Sequence, residues 1–418
     1  MGWPYLAWGT TAVAVFGVIV RPFGWPEYVW AAAGALLVML IGAVPPDAAL
    51  AAVGKGTDVY LFLIGMMLLS EVAREEGLFD WLAAQAVHRS EGSAARLFAI
   101  IYGVGILVTV FLSNDATAVV LTPAVAAATR AAKVKPLPYL LICAFIANAA
   151  SFVLPISNPA NLVLYGDRMP PLPVWLGHLL LPSLFAILAT YVVLRWSQSA
   201  TLRGRVEEAH PPGPLPAGGR IAATGIAATA VALLVASTLG IPLGPPTFGA
   251  GASVAIAVLA RFRKSPLRLL RGIAWSVLPL VAGLFVLVEA LARTGVVDRL
   301  AGLLKLADAQ APMLTAAVGG AVVAIGTNLV NNLPLGLVAA TTSQAAHVTG
   351  RVTEALLIGV DLGPNLSVTG SLATILWLIA LRREGIKIGG LAFLRLGALV
   401  MPPALLLALA ALLAMPSP

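Results

Sequence analysis

Residues 97–130 read LFAIIYGVGILVTVFLSNDATAVVLTPAVAAATR. The run is apolar almost throughout, yet its middle carries Ser113, Asn114 and Asp115. A bilayer crossing needs about 20 apolar residues, so the run is too long to cross once. Irregular polar backbone at membrane depth survives only inside protein or beside water. Arg96 precedes the run, and Arg130, Lys133 and Lys135 close it. Both ends therefore belong on the cytoplasmic side by the positive-inside rule. These features predict a re-entrant hairpin with its tip at Asn114-Asp115. Residues 312–347 repeat the pattern, broken at Asn331-Asn332-Leu333-Pro334, and are expected to enter from the opposite face.

The rest of the chain agrees with a membrane setting. Of 418 residues, 60% are hydrophobic and 11% charged, against about 25% charged in ordinary soluble domains. The mean hydropathy is +0.95. The net charge of +8 lies in short blocks between apolar spans, which fits orientation in a membrane and not nucleic-acid binding. One cysteine, Cys143, excludes internal disulfides and multi-thiolate metal sites. No nucleophile–base pair, cofactor motif or metal-ligand spacing stands out, and no P-loop is present, so the chain reads as a carrier, not an enzyme. His210, in the Pro-rich loop 209–218, reads as solvated.

Spans are expected near 4–20, 28–45, 57–72, 138–165, 175–195, 221–240, 247–262, 275–292, 352–381 and 390–414. The basic blocks at 130–135, 195–220, 261–271 and 382–387 are placed in the cytoplasm, with loops 166–174 and 241–246 outside. Both termini are then outside.

An internal repeat also emerges. Leu63–Leu82, LIGMMLLSEVAREEGLFDWL, matches Val281–Leu300, VAGLFVLVEALARTGVVDRL, with Glu71 over Glu289. Asn114-Asp115 matches Asn331-Asn332, and Leu154–Asn161 (LPISNPAN) loosely matches Leu366–Ala373 (LSVTGSLA). The expected fold is an all-α membrane protein of two inverted repeats, 1–195 and 221–418, joined by a cytoplasmic linker at 196–220. It has about 10 transmembrane helices, two re-entrant hairpins and two broken helices. Paired helix breaks in inverted halves are a sign of a secondary transporter and of its binding site.

Polar residues cluster at four places. They are Ser113–Thr117, then Ser157–Asn161 with Asn148 and Ser151, then Asn328–Asn332, then Asp361, Asn365, Ser367, Thr369 and Ser371. The candidate substrate-binding residues are Asn114, Thr117, Ser157, Asn158, Asn161, Asn331, Asn332, Asn365, Thr369 and Ser371. Amides, hydroxyls and free helix ends together supply donors and acceptors. Asp115 and Asp361 are the candidate coupling residues. An ionised carboxylate at mid-membrane is costly, so each either faces a cation or carries a proton. Glu71 with Arg74 and Glu289 with Arg293 have ion-pair spacing on one helix face and read as structural.

Phe111–Pro123 (FLSNDATAVVLTP), Pro155–Gly166 (PISNPANLVLYG), Asn331–Pro334 (NNLP) and Gly359–Trp377 (GVDLGPNLSVTGSLATILW) resemble the arsenite permease family of the ion-transporter superfamily. The likeness covers nearly the whole chain. The family signature usually reads GPK with TPIGS; here Asn365 and Val368 stand at the Lys and Pro positions. The resemblance implies efflux of arsenite and antimonite, as neutral trihydroxides, across the inner membrane in exchange for protons. No cofactor is implied. Some relatives pair with a cytoplasmic ATPase. The same resemblance leaves open a sodium/proton antiporter or another ion carrier of the superfamily.

Overall fold

A computed structural model describes residues 3–207 and 211–415, so the expectation for His210 lies outside the described residues. The chain forms helices and short connections. The first ten helical elements are α1 (Trp3–Val20), α2 (Glu27–Leu40), α3 (Pro46–Lys55), α4 (Thr57–Glu75), α5 (Leu78–Arg89), α6 (Ala94–Phe111), α7 (114–131), α8 (Leu137–Ala149), α9 (Pro159–Tyr165) and α10 (Leu172–Ser197). Ten more follow: α11 (Ala217–Thr238), α12 (Gly244–Phe262), α13 (Pro266–Gly272), α14 (Val277–Arg293), α15 (Val296–Gln310), α16 (Pro312–Val330), α17 (Asn332–Ala346), α18 (Arg351–Leu362), α19 (Leu372–Arg383) and α20 (Gly390–Ala414). A π-helical stretch, Thr117–Leu121, interrupts α7.

Elements ten apart correspond in length, order and packing. α4 packs on α12 as α14 packs on α2; α6 on α8 as α16 on α18; α5 on α7 as α15 on α17; α9 on α17 as α19 on α7. α10 and α20 pack on each other. The bent pair α3–α4 (48°) recurs as α13–α14 (42°). Gly77 and Gly295 both turn the chain at positive φ, 73° and 77°, a conformation that suits glycine. Close helix approach rests on small residues. A Cβ on Gly251 would collide with the Gly65 backbone, and one on Gly359 with the Gly320 carbonyl. These contacts bring α12 onto α4 and α18 onto α16.

Each apolar span read from the sequence coincides with a helix, and spans 138–165 and 352–381 each divide into two helices at a break. Among the described residues, five helices are long and apolar enough alone to cross a bilayer, or up to seven if each bent pair counts as one span. α1, α2 and α8 are shorter apolar helices. Helices α3, α5, α13 and α15 lie outside the read spans. Each is only 7–15 residues long and carries charged residues, as in VVDRLAGLLKLADAQ of α15, and so lacks a long apolar run. α8 and α18 are buried from residue 138 to 149 and from 352 to 362. The two broken crossings therefore form the centre of the molecule.

Polar contacts tie distant parts of the chain together. Lys264 pairs with Glu76 (2.5 Å), Arg130 with Glu384 (2.6 Å) and Lys133 with Glu207 (3.0 Å). Lys55 pairs with Glu289 (3.5 Å), Asp58 accepts from the Gly244 amide (2.7 Å), and His178 meets Glu354 (2.5 Å). Glu71–Arg74 and Glu289–Arg293 form the ion pairs their spacing implies.

Candidate substrate and coupling site

Four helices begin around one cleft. α6 ends at Phe111, and extended Ser113 starts α7 by accepting the Ala116 amide on its hydroxyl (3.2 Å). Asn158 caps α9 through the Ala160 amide (3.0 Å), Asn331 caps α17 through Leu333 (3.3 Å), and Ser371 caps α19 through Thr374 (3.1 Å). A short polar side chain at each start satisfies one orphan N–H and fixes where the helix begins. Asn331 holds φ 76°, ψ 153°, a region a side chain enters at a cost of about 1–3 kcal/mol.

The cleft is narrow, with room for about 10 Å³ of water-sized solvent, and is lined by the first residues of these helices. Asn114 and Asp115 come from α7, Asn158 and Pro159 from the start of α9, Asn332 and Leu333 from α17, and Ser371, Leu372 and Ala373 from the start of α19. Leu63 of α4 and Val277 of α14 close its other side. Helix N-termini present unpaired N–H groups and partial positive charge. Asp115 is the one ionisable side chain lining the cleft. Asn332 Oδ1 is buried and has no hydrogen-bond partner, whereas Asn114 Oδ1 already accepts the Asp115 amide (2.9 Å).

Behind the cleft, hydrogen bonds bind the tips to the breaks. Asn332 N–H donates to Gly370 O (2.9 Å) and Asn331 Nδ2 to Thr369 O (3.3 Å). Ser157 donates to Val110 O (3.1 Å), joining the first break to α6. The breaks also interlock. Asn158 Nδ2 donates to Asp361 Oδ1 (2.7 Å), while Asn148 donates through Nδ2 to Asn365 Oδ1 (3.0 Å) and accepts on Oδ1 from the Ser371 hydroxyl (3.3 Å).

Of the residues singled out in the sequence, Asn114, Asp115, Asn158, Asn332 and Ser371 line the cleft. The others turn to partners in its wall. Thr117 pairs with Thr109 (2.8 Å), Asn161 with carbonyls of the first break, Asn365 with Phe145 O (3.0 Å), and Thr369 with Asn328 O (2.9 Å). Asp361 is fully buried one layer behind, in contact with Asn158. Sequence reasoning missed Leu63 and Val277, whose apolar side chains look like any others in a span. It also missed Thr374, which joins the Asn148–Ser371 network (3.3 Å to Asn148 Nδ2). Among the described residues no cluster of three or more His, Cys, Asp or Glu could hold a metal ion.

The model of the citrate transporter family matches residues 15–363. The chain belongs to that family. The arsenical pump membrane protein of Yersinia enterocolitica is 30% identical over 376 residues, with 84% of each chain covered. That of Escherichia coli K12 is 28% identical over 412 residues, covering 92% of each. The resemblance read from FLSNDATAVVLTP and NNLP is thus borne out: the chain belongs with the arsenical pump membrane proteins as a multi-pass membrane transporter. Two solved structures share the fold. The YdaH transporter of Alcanivorax borkumensis superposes with a TM-score of 0.54 at 17% identity, over 90% of this chain and 87% of its own. Neisseria gonorrhoeae MtrF gives 0.51 at 12%, over 90% and 84%.

Proposed function

We propose that this chain exports arsenite and antimonite, as neutral trihydroxides, in exchange for protons. The observation that carries the reading is the cleft at the four helix N-termini. Its polar lining is amide, hydroxyl and backbone N–H, with Asp115 the lone ionisable group. Such a lining suits a solute that both donates and accepts hydrogen bonds and bears no charge. Citrate, which gives the family model its description, carries several carboxylates. No Lys, Arg or His lines the cleft to answer them, and Asp115 would repel them. A three-thiolate arsenic site is impossible with one cysteine, so recognition rests on oxygen and nitrogen.

In this reading Asp115 takes and releases the exchanged proton, and Asp361 behind Asn158 shares that role. The halves 1–195 and 221–418 are inverted about the cleft, with 196–220 a cytoplasmic linker. The contacts Glu76–Lys264 and Arg130–Glu384 face the cytoplasm, because the basic loops lie there. Both termini then lie outside the inner membrane. Uptake into everted vesicles tests the substrate: the reading expects arsenite accumulation driven by an inward-acid gradient. Citrate uptake, or sodium–proton exchange without arsenite transport, would replace it.

A further inference from the structure

The loop that breaks the first crossing turns carbonyl groups inward. Those of Ser151, Leu154 and Pro155 converge on a single atom, Nδ2 of Asn161, at 2.9, 3.3 and 3.3 Å. Asn161 is the third residue of α9 and is fully buried. Its amide is oriented unambiguously, since the reverse would aim Oδ1 at three carbonyl oxygens. Two hydrogens therefore serve three acceptors. Unwound carbonyls gathered in a broken membrane helix commonly hold a coupling cation, and here a tethered NH2 group sits among them.

The surroundings fit the same chemistry. The Ser151 carbonyl belongs to the cage, while its hydroxyl turns to Asn148 O (2.8 Å), and Asn158, which caps the helix that carries Asn161, reaches Asp361 (2.7 Å). Asp361 is fully buried; Oδ1 accepts from Asn158, and Oδ2 has no hydrogen-bond partner. Asn161 Oδ1 likewise has none. A carboxylate with one open oxygen thus adjoins a carbonyl cage whose centre is filled by a neutral donor.

We infer that Asn161 stands in for a monovalent cation. Its amide makes the native transporter indifferent to sodium, and its removal uncovers a sodium site completed by Asp361. The inference rests on the reading of Asp361 as a coupling residue and is independent of arsenic as substrate.

The test is thermal unfolding of the purified full-length protein in sodium chloride against choline chloride, for native protein and for Asn161→Ala and Asn161→Ser. The native protein is expected to melt at the same temperature in both salts. Each variant should gain a saturable, sodium-dependent rise in Tm, because a ligand that binds only the folded state stabilises it. Adding Asp361→Asn should remove that rise. A saturable sodium stabilisation of the native protein would overturn the inference, as would folded variants that ignore sodium. If neither variant folds, the native protein's response decides alone. None of these readings uses arsenite, so a failure of arsenite transport with the sodium pattern intact would sink only the proposed substrate.

Discussion

The two hairpin tips occupy matching places but carry different chemistry. The first reads Ser113-Asn114-Asp115, is extended at its cap (φ −179°), and leads into a π-helical stretch. The second reads Asn331-Asn332-Leu333, with its cap residue at φ 76°. Both tips start a helix at the cleft, and both place an Asn first in that helix. Only the first adds a carboxylate; the second puts Leu333 there. The repeated fold thus supplies the cleft twice over, while the ionisable group comes once. Binding is expected to be shared between tips and coupling to be one-sided.

The largest expected effect follows from that asymmetry. Asp115→Asn keeps size and hydrogen bonding but cannot exchange a proton. Gradient-driven arsenite transport should fall at least about fivefold, the lower end for a coupling between two ligands, with expression retained. Asp361→Asn should act in the same direction. Introducing a carboxylate at the second tip by Leu333→Asp in the Asp115→Asn background should not restore exchange. If it does, the tips are interchangeable and the comparison fails. Vesicle uptake at several pH gradients reads all three.

A middle-sized effect concerns binding. Asn332→Ala should raise the half-saturating arsenite concentration roughly threefold to tenfold, the worth of one neutral hydrogen bond of about 0.5–1.5 kcal/mol. Asn114→Ala should cost less, because its Oδ1 is already engaged by the Asp115 amide while Asn332 Oδ1 is free. The reverse order in uptake kinetics would mean that the first tip makes the main contact.

The smallest effect tests the caps. Glycine at 331 relieves the positive-φ cost of about 1–3 kcal/mol but loses a few tenths of a kcal/mol of capping and the bond to Thr369 O, worth about 0.5–1.5 kcal/mol, so Asn331→Gly should melt close to native. Asn331→Ala keeps the conformational cost, loses the cap, and should melt lower. At Ser113 the backbone is already extended, so Ser113→Gly should bring no gain. Thermal unfolding of the purified protein checks the order.

How much of this was legible in the sequence differs by level. The breaks were plain, because Ser113-Asn114-Asp115 and Asn331-Asn332 interrupt apolar runs where lipid tolerates no irregular backbone. The short helices α3, α5, α13 and α15 were not, since charged residues within helices of 7–15 residues leave no apolar run long enough to mark a span. Within the polar clusters, residue type was visible and direction was not. Asn158 and Asn161 stand three residues apart in one motif, yet the first lines the cleft and the second plugs a carbonyl cage. The same residue types cap helices, satisfy broken backbone and face a ligand, and only tertiary packing separates these roles.

Proton movement upon arsenite addition tests the central claim most directly. The protein is reconstituted in sodium-free vesicles that enclose a pH indicator, with no gradient imposed. Arsenite entering down its own gradient should drive protons out and make the lumen alkaline, and Asp115→Asn should abolish that signal. Arsenite entry with an unchanged lumenal pH in the native protein would contradict the exchange mechanism.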